Sequence, residues 1–289
     1  MSSSVSISIA TNTAIAAAKG FGFAVTGSPT LFAETIHSIA DVANQVLLKV
    51  GEVRARRGPD ALHPFGRGQE KFFWALVSAV SVFFVGCGLN IYHGVRALAQ
   101  PGDIAPFTPL ILGLLLFALA LESFTFMVAL REIGSWKGIT KNRNNTTVLA
   151  VLLEDAVALL GILLTLIVAG VSFVWGSHAA FDAVVAIAVG VLLGAMAIFL
   201  ATLNRRLLID TSEPALDRAA ARFLAKQGVR GKVSSIVVDD DRFVVFVRVS
   251  QADAIERAIE SHALGEALKA SMQALEGKTV DAVYWQFPP

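Results

Sequence analysis

The chain has 289 residues, of which 55% are hydrophobic and 16% charged, and its formal net charge at pH 7 is +1. This composition is typical of a membrane protein, and the weak net charge excludes a broad basic surface for nucleic acid. The one cysteine, Cys87, excludes both an intrachain disulfide and a thiolate cluster of the zinc-finger type.

Six apolar stretches are long enough to cross a bilayer, which takes roughly 17 to 25 helical residues. They are predicted at 5–27, 29–51, 72–98, 107–130, 147–173 and 180–203. Polar residues and glycines dilute the first stretch, and such small residues suit close packing of helix on helix. Because no basic region followed by a cleavage site opens the chain, we expect Met1 to begin the mature protein.

Arginine and lysine concentrate in three segments that flank these stretches. Cytoplasmic loops retain positive charge, so these segments and both termini are predicted to face the cytoplasm. The residues are Arg54, Arg56, Arg57, Arg67 and Lys71 after the second stretch, Arg131, Lys137, Lys141 and Arg143 after the fourth, and Arg205 and Arg206 after the sixth.

After Arg206 the composition changes to that of a soluble domain. The predicted elements there are helices at 212–227 and 254–275, strands at 233–239, 242–249 and 279–287, and a turn at 239–241. An α-β-β-α-β order suits a small α+β layer of ferredoxin-like type. The predicted architecture is an all-α bundle of six membrane helices at 1–208, followed at 209–289 by a cytoplasmic α+β domain for dimerisation or regulation.

His37 and Asp41 lie one helical turn apart in the second apolar stretch. Ionisable side chains are costly in hydrocarbon, so they persist where they line a pathway or hold a ligand. Residues at positions i and i+4 share one helical face, so an imidazole nitrogen and a carboxylate oxygen can reach one ion. Zinc accepts such ligands in tetrahedral geometry, which predicts a metal site completed by a second helix.

The fifth stretch supplies Glu154 and Asp155 as the remaining candidate metal ligands. Adjacent helical residues point about 100° apart, so Glu154 reaches the same ion only by swinging its longer side chain. Its alternative role is to neutralise charge or to bond a neighbouring helix. Asn44, one turn beyond Asp41, offers either a further oxygen ligand or a hydrogen bond between helices.

Three other acidic residues have less specific interpretations. Glu34 reaches either an exit gate or the membrane interface, with the interface favoured. Glu122 in the fourth stretch is a buried carboxylate without an assigned partner, which makes it a weak pathway candidate. Asp182 opens the sixth stretch and is predicted to be a helix N-cap.

Taken together, the order and spacing of these features resemble the cation diffusion facilitator family across nearly the whole chain. The resemblance implies a homodimeric exporter of divalent cations, commonly zinc, that exchanges metal for protons at a site midway through the membrane between spans 2 and 5. It is carried by six spans, His37 and Asp41 in the second, the loop motif from Asp60 through His63 and Arg67 to Gly68, Asp155 with Gly161 in the fifth, Asp182 in the sixth, and the small α+β domain.

The sequence departs from the family pattern at two places. Val151 stands where the family has a further His or Asp ligand, so either Glu154 replaces that ligand or water fills the position. We expect a histidine at position 151 to strengthen zinc binding. In the loop, Arg67 stands where the third ligand of a peripheral metal site beside Asp60 and His63 is expected, and a cation there repels metal.

The predicted function is proton-coupled export of a divalent cation, most simply Zn²⁺, by alternating access. Ligands shed protons before metal binds, so protons and cations compete for the same atoms. The expected partners are the metal, protons, the bilayer and a second copy of the chain, with no separate cofactor and no nucleic acid. A non-transporting membrane scaffold or regulatory subunit is the alternative, and a membrane metalloenzyme is disfavoured because no His-Glu-x-x-His motif is present. The default location is a bacterial cytoplasmic membrane.

Overall fold

The computed structural model of the chain describes residues 3–26, 29–100, 108–134, 144–175, 179–249 and 254–286. Within these ranges the side chains of Glu34, His37 and Asp182 lie outside the description. The chain divides into two compact units. The first consists of Met1–Val53 with Lys71–Asn204, and the second of Arg54–Glu70 with Arg205–Pro289.

Each of the six apolar stretches is helical over nearly all of its described residues. The helices are α1 (Ser3–Thr26), α2 (Pro29–Ala55), α3 (Glu70–Ser81) continued through a π-helical turn at Val82–Cys87 into α4 (Gly88–Ala99), α5 (Pro109–Glu132), α6 (Thr146–Trp175) and α7 (Ala179–Leu208). Pro29 and Pro109 begin helices because a first-turn residue needs no intrahelical N–H partner. The N-terminus of α7 at Ala179 corrects the prediction for Asp182, which lies inside the first turns and is not the N-cap.

Four helical segments among the described residues are long and apolar enough to cross a membrane: Glu70–Ala99, Pro109–Glu132, Thr146–Val171 and Ala183–Leu208. At a rise of 1.5 Å per residue, α1 and α2 are also about 36 and 40 Å long, but polar and charged residues recur along them. Such helices suit the interior of a bundle rather than its lipid face. Length and composition therefore support four of the six predicted spans. The spans at α1 and α2 stay a prediction.

The α3–α4 span and α7 pack closely through glycine. A methyl group added at Gly94 would lie 2.5 Å from a side-chain carbon of Ile187, and one at Gly190 would lie 2.9 Å from a side-chain carbon of Ile91. Both distances are below van der Waals contact, so only glycine permits this approach. Small residues at helix contacts are the usual means of packing helices within a bilayer.

The second unit contains helix α8 (Pro214–Lys226), strand β1 (Gly231–Val237), strand β2 (Arg242–Val249), helix α9 (Ala254–Glu276) and strand β3 (Thr279–Gln286). Strand β2 is central, with β1 antiparallel on one side and β3 parallel on the other. The hairpin between β1 and β2 turns at the predicted aspartates, where the Asp239 N–H donates to the carbonyl of Arg242. The α-β-β-α-β order is confirmed, while a ferredoxin-like assignment stays a prediction.

The segment between α2 and α3 belongs to the second unit, although the predicted boundary at 208/209 places it with the membrane helices. The ring of Phe65 packs edge-on against Tyr284 of β3, and Tyr284 stacks on Phe246 of β2. Gly68 lies so close to the sheet that an added methyl group would be 2.4 Å from the carbonyl oxygen of Val238. The arginine-rich loop is thus attached to the C-terminal sheet.

Candidate metal site

Five helices of the first unit line one small cavity. Polar groups dominate one part of its wall, and small or branched apolar side chains form the rest. The lining residues are Asn12 from α1, Asp41 from α2, Glu122 from α5, Glu154, Asp155, Val157 and Ala158 from α6, and Val189 and Leu193 from α7. Four carboxylates around one cavity in an apolar bundle are costly, which indicates a site for cations or protons.

Asp155 is the most completely buried of these carboxylates. The residue is 1% exposed, and neither carboxylate oxygen has a hydrogen bond of ordinary geometry among the described residues. The hydroxyl of nearby Thr125 donates instead to the backbone carbonyls of Leu121 and Glu122. A buried charge without a partner costs several kcal/mol, roughly, even after relaxation. A carboxylate with two unsatisfied oxygens, on a residue that lines a cavity, is therefore the arrangement expected of a group that binds a cation.

Glu154, the neighbour of Asp155, is held by a hydrogen-bonded chain between helices. The side-chain amide of Asn44 donates to both Glu154 oxygens, at 3.0 and 3.2 Å. The Asn44 carbonyl oxygen in turn accepts a 2.7 Å bond from the hydroxyl of Ser78 on α3. Of the two roles open to Asn44, the structure favours the bond between helices, because its oxygen already has a donor.

The structure describes the side chain of Asp41 but not that of His37. Asp41 lines the cavity. His37 lies one turn earlier on α2, which places its Cα on the same helical face, but its side chain lies outside the described residues. Across the described residues, no group of three or more His, Cys, Asp or Glu side chains is already gathered tightly enough to hold a metal ion.

Val151 lies outside the cavity and inside the apolar core. Its side chain is fully buried in a cluster that includes Leu48, Val148 and Leu152. This packing explains how the chain tolerates valine where the resembled family has a ligand. The position contributes to the association of helices and not to the cavity wall.

A row of buried polar groups continues from the cavity along α1. Ser4, Ser8 and Asn12 follow one another at intervals of four residues and so share a helical face. The hydroxyls of Ser4 and Ser8 are buried without partners among the described residues, and so is the amide of Gln45 on α2. Buried polar groups of this kind are usually satisfied by water. Sequence reasoning missed this row, although its four-residue spacing is visible in the first stretch.

The loop residues resembling a peripheral metal site are occupied by protein contacts. One Asp60 oxygen accepts from the backbone N–H of His63 at 2.8 Å and lies 2.9 Å from the Nδ1 of the same residue. The other oxygen accepts from Arg67 at 3.0 Å. The His63 contact, with help from Arg67, holds the pKa of the Asp60 carboxyl well below its usual range. Both Asp60 oxygens are therefore engaged within the loop, and Arg67 brings a positive charge beside them instead of a ligand atom.

A family model for a cation efflux transmembrane domain matches residues 5–209 of the chain. The proton-coupled zinc antiporter SLC30A9, mitochondrial, of Xenopus laevis is 33% identical over 205 residues, which cover 67% of this chain and 36% of that relative. Metal tolerance protein C4 of Arabidopsis thaliana is 34% identical over 200 residues, covering 63% of this chain and 41% of the relative.

A bacterial relative matches a shorter part of the chain. The magnetosome protein MamM of Paramagnetospirillum magneticum is 31% identical over 93 residues, covering 32% of this chain and 29% of the relative. In each of these comparisons the chain spans less than half of the relative's own length.

Proposed function

This chain belongs to the cation efflux family, and on that premise we propose that it exports divalent metal cations, Zn²⁺ foremost, in exchange for protons. The resemblance to cation diffusion facilitators is confirmed, and the family model together with four apolar helices identifies an integral membrane protein. The observation that carries the proposal is that Asp155, whose two oxygens have no hydrogen-bond partner among the described residues, lines the same cavity as Asp41. Asp41 and Asp155 bind the ion, with His37 and Glu154 as further predicted ligands.

The physical basis of exchange is the cost of an empty, ionised cavity. Several carboxylates close together in an apolar bundle repel one another and lack water, so either a metal ion or protons must neutralise them. Metal binding requires the ligands to shed protons, and protonation expels the metal. If the two loaded forms favour opposite openings of the bundle, a proton gradient drives metal in the other direction.

The polar row on α1 supports an access path to this cavity. Ser8 and Ser4 lead from Asn12 toward the N-terminal end of α1, where the backbone N–H of Ser4 donates to Glu132 at the end of α5. The next residues after α5 belong to a basic segment predicted to be cytoplasmic. Water along this row gives a cation a hydrated route between the cytoplasm and the cavity.

Three further features of the proposal rest on the sequence. Both termini face the cytoplasm because the basic loops do. The C-terminal unit mediates formation of a homodimer. The bacterial cytoplasmic membrane stays the predicted location, although SLC30A9 carries a mitochondrial designation.

Transport by the purified chain in liposomes with an acidic lumen tests the proposal. Zinc entry is followed with a zinc-sensitive dye inside the liposomes, with and without the pH gradient. We expect gradient-dependent uptake by the wild type and a loss of at least about tenfold for Asp155→Asn, because one cavity charge is removed. Glu266→Gln is the matched control, since this exposed carboxylate pairs with Lys269 on the surface of α9.

Two results would contradict the proposal in different ways. A wild type that moves no metal, and that is indistinguishable from Asp155→Asn, would favour the scaffold alternative. Zinc uptake at the same rate with and without the pH gradient would support metal transport but refute exchange for protons.

A further inference from the structure

We infer that Glu122 of α5 is a direct ligand of the transported cation and supplies the donor that Val151 does not. This inference rests on the proposed function and adds a third helix, α5, to the two that the resemblance implies. It assigns to the cavity an oxygen-rich coordination sphere drawn from α2, α5 and α6.

The first support is the position of Glu122. Its side chain is 8% exposed and lines the same cavity as Asp41 and Asp155. Its Oε2 atom is buried without a hydrogen-bond partner among the described residues. The helix α5 thus places a carboxylate with an unpartnered oxygen beside the cavity, although the helix is otherwise apolar over most of its length.

The second support is that the other candidates on α6 are less suited to supply the missing donor. Val151 is packed in the apolar core and offers no donor atom. Glu154 shares both of its oxygens with the amide of Asn44, so binding a cation there weakens an existing contact. Glu122 and Asp155 have free oxygens and need lose no hydrogen bond made by those atoms. Their carboxylates are therefore the less costly pair to draw together around an ion.

A structural role for Glu122 is the competing explanation. The positive charge of Lys19 on α1 acts on this carboxylate, and a simple charge pair between α1 and α5 would also justify its burial. The two explanations predict different effects of substituting Glu122 on a bound metal ion. A ligand changes the affinity and the spectrum of the bound metal, whereas a charge pair between helices changes mainly stability.

Metal binding to the purified full-length chain in detergent separates these explanations. Zn²⁺ affinity is measured by titration calorimetry, and Co²⁺ is used as a spectroscopic probe because its visible bands respond to the donor atoms. The variants are Glu122→Gln, Asp155→Asn, and Glu132→Gln as a control on the same helix. Glu132 accepts a bond from the Ser4 backbone and is absent from the cavity wall. Glu122→Asp, which keeps the charge but shortens its reach, is a second probe.

We expect Glu122→Gln to weaken Zn²⁺ binding by at least about tenfold and to shift the Co²⁺ bands, with Glu132→Gln unchanged. We expect Glu122→Asp to shift the Co²⁺ bands as well, because the shorter carboxylate must change the geometry around the ion. Wild-type affinity and an unshifted spectrum in Glu122→Gln, with weak binding in Asp155→Asn, would overturn this inference and leave the proposed function intact. Wild-type affinity in Asp155→Asn would instead overturn the proposed function itself.

If Glu122→Gln fails to fold, Glu122→Asp decides the question through the same Co²⁺ spectrum. A spectrum identical to that of the wild type would then mean that the carboxylate at this position does not touch the metal.

Discussion

Histidine substitutions one turn before and one turn after Asp155 should have opposite effects. Ala158 lines the cavity and lies three residues beyond Asp155 on α6, so an imidazole there reaches the same space. Val151 lies four residues before Asp155 but packs in the core. We therefore expect Ala158→His to tighten zinc binding and Val151→His to leave it unchanged or weaker. This revises the expectation drawn from the sequence for position 151.

The magnitude for Val151→His follows from its burial. The side chain is 0% exposed, so a larger imidazole overfills the core at a cost of about 1–3 kcal/mol. Its ring nitrogens meet apolar neighbours such as Leu48 and Leu152, which adds about 1–3 kcal/mol for unsatisfied polar atoms. The sum is about 2–6 kcal/mol, and at about 2–4 °C per kcal/mol the unfolding midpoint falls by at least about 4 °C.

The assay combines two measurements on the purified chain in detergent. Thermal unfolding is followed by the fluorescence of the four tryptophans, and zinc affinity is measured by calorimetry. Ala158→His should bind zinc at least about tenfold more tightly than the wild type. Tighter zinc binding by Val151→His, with Ala158→His unchanged, would refute the reasoning, because the ion would then lie beside position 151, about two turns nearer the N-terminus of α6 than position 158.

Two further substitutions test contacts that join distant parts of the chain. Asn44→Leu removes both hydrogen bonds to Glu154. It should lower the free energy of unfolding by about 1–3 kcal/mol, because a buried carboxylate loses its donor. An unchanged thermal midpoint would contradict this. Gly68→Ala forces a methyl group against the Val238 carbonyl and should speed tryptic cleavage of the loop, whereas Gly58→Ala, with open space around its Cα, should not. Equal cleavage rates in the two variants would mean that the loop is not held by the sheet.

Much of the fold could be predicted because its signals are local in the chain. Apolar length predicted a helix for each of the six stretches, since a helix satisfies its own backbone within the bilayer. Alternating apolar residues around three aspartates predicted the β1–β2 hairpin. The π-helical turn at Val82–Cys87 was not predicted, because it depends on how the helix packs and leaves the apolar pattern unbroken.

The candidate site was predicted less completely. Asp41, Glu154 and Asp155 do line one cavity, but Asn12 was passed over and Glu122 was left without a role. The direction in which a side chain faces depends on the rotation of its helix about its own axis, which neighbouring helices set.

By itself, the sequence determined the class of the protein, the stretches that form its apolar helices, and the spacing that puts His37 and Asp41 one turn apart on α2. Each of these follows from burial in lipid or from a helical repeat. Neither of these two causes involves residues far apart in the chain. Only the tertiary structure decided that Asn44 meets Glu154 across 110 positions, that Val151 belongs to the core, and that the arginine-rich loop attaches to the C-terminal sheet. Those outcomes depend on packing and hydrogen bonds between elements that are far apart in the chain. A local sequence pattern does not predict such contacts.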